Sequence, residues 1–252
     1  MKIVFQNEHF VAVDKDSGVL TTPSRFESDD GRVVLGRELE KELSTQIYPV
    51  HRLDFEVSGI TLFALNEKAH AAANVVFEKR QVQKTYQALC SKLLVPPPTF
   101  QKDLFRLVNP QIGESFIWKC MLMRGKRRAY ENAHGKQSVT NAKYLAQYKG
   151  KDPDKFPDKD LFQNLNKNLE CFTENVMMEK SMTADFSDES DLHIWSLQPQ
   201  TGRSHQLRYE LFRHGFPILG DTLYSGLAWK ESAIALRAVE LSFHDEIFCQ
   251  TW

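Results

Sequence analysis

Apolar and polar residues alternate near the start of the chain, at Ile3 and Phe5 and again through Phe10, Val11 and Val13. The pattern breaks at Asp14-Lys15-Asp16-Ser17-Gly18, which predicts a strand pair followed by a turn. Val34, Leu35, Leu39 and Leu43 have helical spacing within 32–43. Gly59 to Leu65 is a short apolar run with β-branched residues, the signature of a buried strand. The clearest helix follows. Ala69, Ala72, Ala73, Val76 and Phe77 share one face, Asn66 is the predicted N-cap, and Glu67 and Lys79-Arg80 suit the helix dipole at its two ends. Thr85 to Leu94, stopped by Pro96-Pro97-Pro98, reads as a strand, as do Phe116 to Met123, Val139 to Tyr148 and Leu192 to Leu197. Ser204 is positioned to cap a helix over Gln206 to Arg213, with Gly215 as its left-handed stop. Two apolar stretches close the pattern, Ile234 to Leu236 and Leu241 to Phe243. Many strands with few, segregated helices predict an α+β fold on a largely antiparallel mixed sheet.

One stretch departs from this pattern. About 149–191 is rich in Asp, Asn and Lys with isolated apolar residues, and reads as an acidic, partly mobile insertion in a single domain spanning 1–252. From Gly150 to Asp191, five lysines face eleven acidic residues. Against a chain total of −1, this local charge of −6 leaves +5 for the remainder. There, basic residues gather at Lys79-Arg80 with Lys84, and at Arg124 with Lys126-Arg127-Arg128. Such clusters are either solvated faces or contacts for phosphates. No apolar run reaches membrane-spanning length, and Met1-Lys2-Ile3-Val4-Phe5-Gln6-Asn7-Glu8 has no secretory core, so a cytoplasmic protein is expected. Cys90, Cys120, Cys171 and Cys249 are scattered, which argues against a disulfide framework and a zinc site.

Three segments concentrate unusual polar residues beside apolar strands. His51-Arg52-Leu53-Asp54-Phe55-Glu56-Val57-Ser58-Gly59 leads into a buried strand, where Asp54 is either a reachable, partly desolvated carboxylate or a turn cap paired with Arg52. In Lys84-Thr85-Tyr86 an extended backbone puts Lys84 and Tyr86 on one face, where a cation and a ring can receive phosphate and base together. The alternative is a half-exposed Tyr on an ordinary strand. Thr201-Gly202-Arg203-Ser204-His205-Gln206-Leu207-Arg208 is a turn entering a helix, whose start attracts negative charge or is simply a structural cap.

Taken together and in this order, these segments resemble the RluA-type RNA pseudouridine synthases. That family carries His-Arg-Leu-Asp with Ser-Gly, then Lys-x-Tyr, then Thr-Gly-Arg-x-His-Gln-Leu/Ile-Arg. Gly220-Asp221-Thr222-Leu223-Tyr224 also matches its Gly-Asp-x-x-Tyr element, and Val13 to Gly18 its opening turn, with Asp16 where proline is usual. The resemblance implies isomerisation of uridine in a structured ribosomal or transfer RNA, at a cleft across the sheet, without metal or other cofactor, by a monomer. It makes Asp54 the catalytic carboxylate, acting on the ribose or by promoting elimination, with Arg203 as its ion-pair partner. It places Tyr86 on the uracil face and makes it a candidate for handling the proton at carbon 5. Arg52 goes to the flipped nucleotide or the space it vacates. Lys84, with the Arg124 to Arg128 cluster, meets phosphate, and His51, His205 and Arg208 complete the substrate-binding set. The chain begins at the first strand of the catalytic domain, so no small S4-type RNA-binding domain is expected before it. A catalytically silent RNA-binding protein or chaperone would break this loop, yet Asp54, Tyr86 and Arg203 are all present. A hydrolase using Asp54 and His205 would lack a recognisable nucleophile elbow.

Overall fold

The computed structural model describes residues 1–24, 30–148, 191–229, 232–245 and 250–251. The predicted insertion at about 149–191, apart from Asp191, lies outside the described residues, as do Cys171 and Cys249. In chain order the first elements are β1 (Lys2–Gln6), β2 (Phe10–Lys15), helix α1 (Leu35–Leu43), β3 (Tyr48–Pro49), β4 (Ser58–Ala64), helix α2 (Glu67–Glu78) and β5 (Gln83–Cys90). Then follow β6 (Ser115–Arg124), β7 (Ala129–Glu131), β8 (Lys136–Tyr148), β9 (Leu192–Pro199), helix α3 (Gln206–Arg213) and β10 (Leu236–Ser242). These strands form one sheet in the order β1-β2-β4-β10-β5-β9-β8-β6-β7, with β3 also pairing to β4, and His244–Asp245 pairs with Gln250–Thr251 in a separate two-stranded ladder. The β4–β10 pair is parallel and the other ladders are antiparallel, which is the predicted α+β class with a mixed sheet.

That parallel seam explains Gly59. It pairs with Ala238 at φ +111°, and a Cβ there would lie 2.1 Å from the Ala238 carbonyl oxygen. Only glycine allows the two backbones to approach so closely. In α2 the predicted cap is present: Asn66 Oδ1 accepts the Ala69 N–H at 2.9 Å, and Ala69, Ala72, Ala73 and Val76 are buried. Gly215 stops α3 at φ +88°, as its position predicts.

Three expectations differ in detail. A bulge between Ile3 and Phe5 breaks the alternation of β1, leaving Phe5 exposed. Strand β5 ends at Cys90 rather than Leu94, because the Ser91 N–H turns to the Pro217 carbonyl. Ser204 is exposed and does not cap α3; His205 holds the N-cap position at φ 52°. Helix α3 is buried along its whole length, charged residues included. It packs Tyr209 and Phe212 with Cys120, Leu122 and Tyr224 beside β6.

Two histidines in this core are held neutral. His214 lies parallel to Trp118 with ring centroids 4.2 Å apart, and its Nδ1–H donates to the Glu210 carbonyl at 2.7 Å. Burial, opposed by that hydrogen bond, pushes its pKa down to about 3, with the Arg213 and Arg106 charges adding to the drop. Burial and the Lys92 charge, opposed by Asp191, push His193 down to about 4. Below pH ~6.5 the unfolded chain binds protons at these positions that the native chain does not, so stability falls as pH falls, until about pH 4 for His193 and about pH 3 for His214. Each histidine contributes a slope of at most about 1.4 kcal/mol per pH unit. Thermal melts between pH 7 and 4 should show this decline, and His214→Asn, which can still donate to Glu210, should flatten it; an equal slope in that variant refutes the assignment.

Candidate active site

Asp54 sits in a short loop fastened on every side. Leu53 and Val57 are buried in the core, so the loop is pinned at both ends of Asp54-Phe55-Glu56. Thr21 Oγ1 accepts the Leu53 N–H and donates to the Leu53 carbonyl, both at 3.2 Å. The Phe55 carbonyl receives the Gly18 N–H at 2.9 Å, and the Glu56 carbonyl receives the Ile234 N–H at 3.1 Å. Lys15, fully buried, donates from Nζ to the carbonyls of Asp16 (2.9 Å), Val19 (2.8 Å) and Phe55 (3.4 Å). Burial lowers its pKa to about 8, opposed by the charges of Asp16, Asp54 and Glu56. Held this way, the Asp54 side chain is 32% exposed and faces a cleft.

The opposite wall is the turn into α3. Gln206 saturates its amide there: Oε1 accepts from Thr201 Oγ1 (2.8 Å) and the Arg203 N–H (3.1 Å), while Nε2 donates to the Val139 carbonyl (3.0 Å) and Thr140 Oγ1 (2.9 Å). Two residues on, Arg208 forms a bidentate pair with Asp221, Nε to Oδ2 at 2.6 Å and Nη2 to Oδ1 at 2.7 Å. Both side chains are almost completely buried. The remaining nitrogen, Nη1, has no hydrogen-bond partner and lies 3.8 Å from Asp54 Oδ2 and 3.6 Å from Glu56 Oε2. His205 Nε2 is 3.9 Å from the same Asp54 oxygen, and His205 Nδ1 is 3.3 Å from the Tyr224 hydroxyl. Burial and the Arg208 charge lower the His205 pKa, opposed by nearby carboxylates.

The third wall comes from β5 and α2. Tyr86 points into the cleft with its pKa raised by burial and by the Asp54 charge, so its hydroxyl keeps its proton. Lys84 Nζ lies 5.7 Å from the centre of the Phe77 ring, on which His51 also stacks at 5.5 Å. Burial lowers the Lys84 pKa. Arg52 is exposed at the rim. The cleft holds about 470 Å³, within the range of small-molecule sites, and all eight residues singled out from the sequence line it.

Their roles are not all those expected. Asp54 meets Arg208, not Arg203; Arg203 Nε instead donates to the Gln137 carbonyl at 2.9 Å. The physical reason is helical position: Arg208 lies inside α3 and points through the core, whereas Arg203 precedes the helix and lies along the edge of β8. His51 is also largely committed to structure, since its Nε2 accepts the Leu62 N–H at 3.1 Å and burial, aided by the Lys84 charge, lowers its pKa to about 3. Sequence reasoning missed Lys15, Thr21, Glu56, Gln206 and Asp221. Asp221 had a signal in its Gly-Asp-x-x-Tyr element; Thr21 had none. Among the described residues no His, Cys, Asp and Glu cluster is arranged to hold a metal.

Comparison with known proteins gives this geometry a context. A family model described as RNA pseudouridylate synthase matches residues 9–213. The chain is similar to tRNA pseudouridine synthase C of Pectobacterium carotovorum subsp. carotovorum, 29% identical over 227 residues, covering 90% of this chain but only 49% of that protein. It is also similar to the dual-specificity RNA pseudouridine synthase RluA of Vibrio vulnificus (strain CMCP6), 29% identical over 246 residues, covering 96% of this chain and 77% of the relative. Its fold resembles that of human RNA pseudouridylate synthase domain containing 1, with TM-score 0.63 and 19% identity, covering 100% of this chain and 81% of the other.

The two arginines should separate cleanly in stability. Arg208→Met leaves Asp221 buried without a partner and should cost about 3–5 kcal/mol. Arg203→Ala loses one exposed hydrogen bond and should cost about 1 kcal/mol or less. Urea unfolding of the two variants decides this; equal losses would overturn the assignment of Arg208 as the structural partner.

Proposed function

Because the chain belongs to the RNA pseudouridylate synthase family, we propose that it isomerises uridine to pseudouridine in transfer RNA with Asp54 as the catalytic carboxylate. The carrying observation is the half-exposed Asp54 in a fastened loop, its oxygen 3.8 Å from the one unsatisfied nitrogen of a buried arginine. Transfer RNA is favoured over ribosomal RNA by the relatives named tRNA pseudouridine synthase C.

The reaction breaks the bond from ribose C1′ to uracil N1 and forms one from C1′ to C5; the C5 proton leaves and N1 gains one. No atom is gained or lost overall. Asp54 either attacks C1′ or promotes elimination across the sugar, and both routes need a carboxylate fixed beside the ribose. Arg208 holds it there while Asp221 anchors Arg208 from behind. The target base must leave its stack to reach the cleft. Tyr86 then offers its ring to the extruded uracil. Its raised pKa favours this packing role over that of a base for the C5 proton. Lys84, Arg52 and Arg124 line the cleft where the phosphates of the flipped nucleotide would pass, and His205 adds a polar group beside Asp54.

The test is to incubate purified protein with RNA from a strain lacking it and map pseudouridine by carbodiimide-dependent primer stops. Wild type should restore at least one site in transfer RNA, and Asp54→Asn should restore none, a loss of at least about 10³-fold if the carboxylate is the nucleophile. Arg208→Lys, which keeps charge but not the bidentate geometry, should fall between them. Restoration by Asp54→Asn at the wild-type rate would refute the role of Asp54, and sites restored only in ribosomal RNA would refute the choice of substrate.

A further inference from the structure

Strand β6 pairs with β8 over Ser115 to Leu122 on one edge, while on the other edge β7 pairs only with Leu122 to Arg124. The Asn132 N–H donates to the Met121 carbonyl at 2.9 Å, so the odd-numbered residues of β6 turn their backbone groups away from β8. By antiparallel alternation, Ile117 and Lys119 present N–H and C=O to an edge that no strand covers among the described residues. Facing that edge, the 106–108 segment is tied to the end of α3, with the Arg106 N–H donating to the Arg213 carbonyl at 2.7 Å and the Val108 N–H to the His214 carbonyl at 3.3 Å. Between them runs an open groove of about 460 Å³ whose lining includes Arg106, Phe116, Ile117, Lys119 and Arg213, and no Asp or Glu. Glu131 holds Arg213 at 2.9 Å. Arg106 and Lys119 are exposed, and among the described residues neither is in an ion pair.

We propose that this groove receives the sugar–phosphate backbone of the RNA substrate, on the strand that flanks the target uridine. The proposal rests on the reading of the Asp54 cleft given above and extends its footprint. Exposed cations without carboxylate partners, beside free backbone N–H groups, are the donors that position phosphates without reading sequence. The groove and the cleft lie along one strand: β6 carries on from Lys119, past the part of its edge that β7 covers, to Arg124, which lines the cavity around Asp54. Five residues of strand span roughly 17 Å, about five steps of a stacked strand at about 3.4 Å per phosphate. A free strand edge also suits an acidic extended peptide, but a polyanion already seated at the Asp54 cleft, on the same strand, is the nearer occupant.

Binding without turnover isolates the question. In an Asp54→Asn background, the affinity for labelled unfractionated transfer RNA is measured by fluorescence anisotropy from 50 to 300 mM salt, with and without Arg106→Ala/Lys119→Ala. Losing two phosphate contacts should reduce the slope of log K against log salt by about 1.4–1.8. Melting temperatures of the two proteins are compared, and an unchanged value assigns the loss to contact rather than to folding. An unchanged slope overturns the groove as an RNA site, and so does an unchanged slope accompanied by lost binding of poly-glutamate, which would point to a protein partner. Isomerisation by Asp54→Asn would instead overturn the catalytic reading, and the anisotropy result would still stand for the groove.

Discussion

The buried pair of Arg208 and Asp221 is the constraint on which the site is built. A guanidinium that is almost fully buried needs a carboxylate in bidentate register, and Asp221 supplies it at 2.6 and 2.7 Å. Such pairs add little net stability against an apolar replacement, because desolvation offsets most of their attraction. What they fix is direction. With Nε and Nη2 engaged, Arg208 has Nη1 left, and the helix aims it at Asp54 and Glu56. The helix can carry this charge inside the core because its other charged residues are also answered there, Glu210 by Cys120 and Arg213, and Arg213 by Glu131.

Asp54 must meet that nitrogen at a defined place, and the sheet supplies the placement. The loop from Leu53 to Val57 borrows bonds from three separate parts of the chain: Thr21, the Lys15 to Gly18 turn, and Ile234. Ile234 precedes β10, and β10 can run parallel against β4 because Gly59 lacks a Cβ. The Gly59 that follows the Asp54 loop is thus a backbone requirement rather than a chemical one. Lys15 serves the same end from inside. Three carbonyls gather around its ammonium, and neighbouring carboxylates oppose the drop in its pKa that burial causes.

Much of this was legible in the sequence, for identifiable reasons. Helix α2 announces itself through one apolar face and a side-chain cap, and the long strands through apolar content. The eight candidate residues were found as a set because they lie in short segments, each with its own pattern. Two kinds of feature were not legible. Helix α3 has no polar face to compare with an apolar one, since Arg208, Glu210 and Arg213 are as buried as Leu211. Contacts between distant positions were also silent: nothing near Thr21 signals Leu53, and nothing in Thr-Gly-Arg tells which of two arginines points inward. The resemblance assigned the ion pair to Arg203, whereas the fold brings Arg208 to Asp54 and Arg203 to the Gln137 carbonyl.

Exposure is distributed according to the same logic. The loop that carries Asp54 and the side chain of Arg208 are each held by several hydrogen bonds, whereas Arg52, Arg106 and Lys119, which would meet phosphate, are exposed. A carboxylate that must sit beside one carbon gains from rigidity, because misplacement by about 1 Å can cost a reaction about 10²-fold. A cation that meets a phosphate loses little by moving, since its attraction falls slowly with distance and is screened by salt. Gln206 shows how the two regimes are joined. Its four bonds hold the turn that bears Arg203 and His205 to β8, so the wall beside Asp54 is tied to the sheet while the rim beyond it stays cationic and exposed.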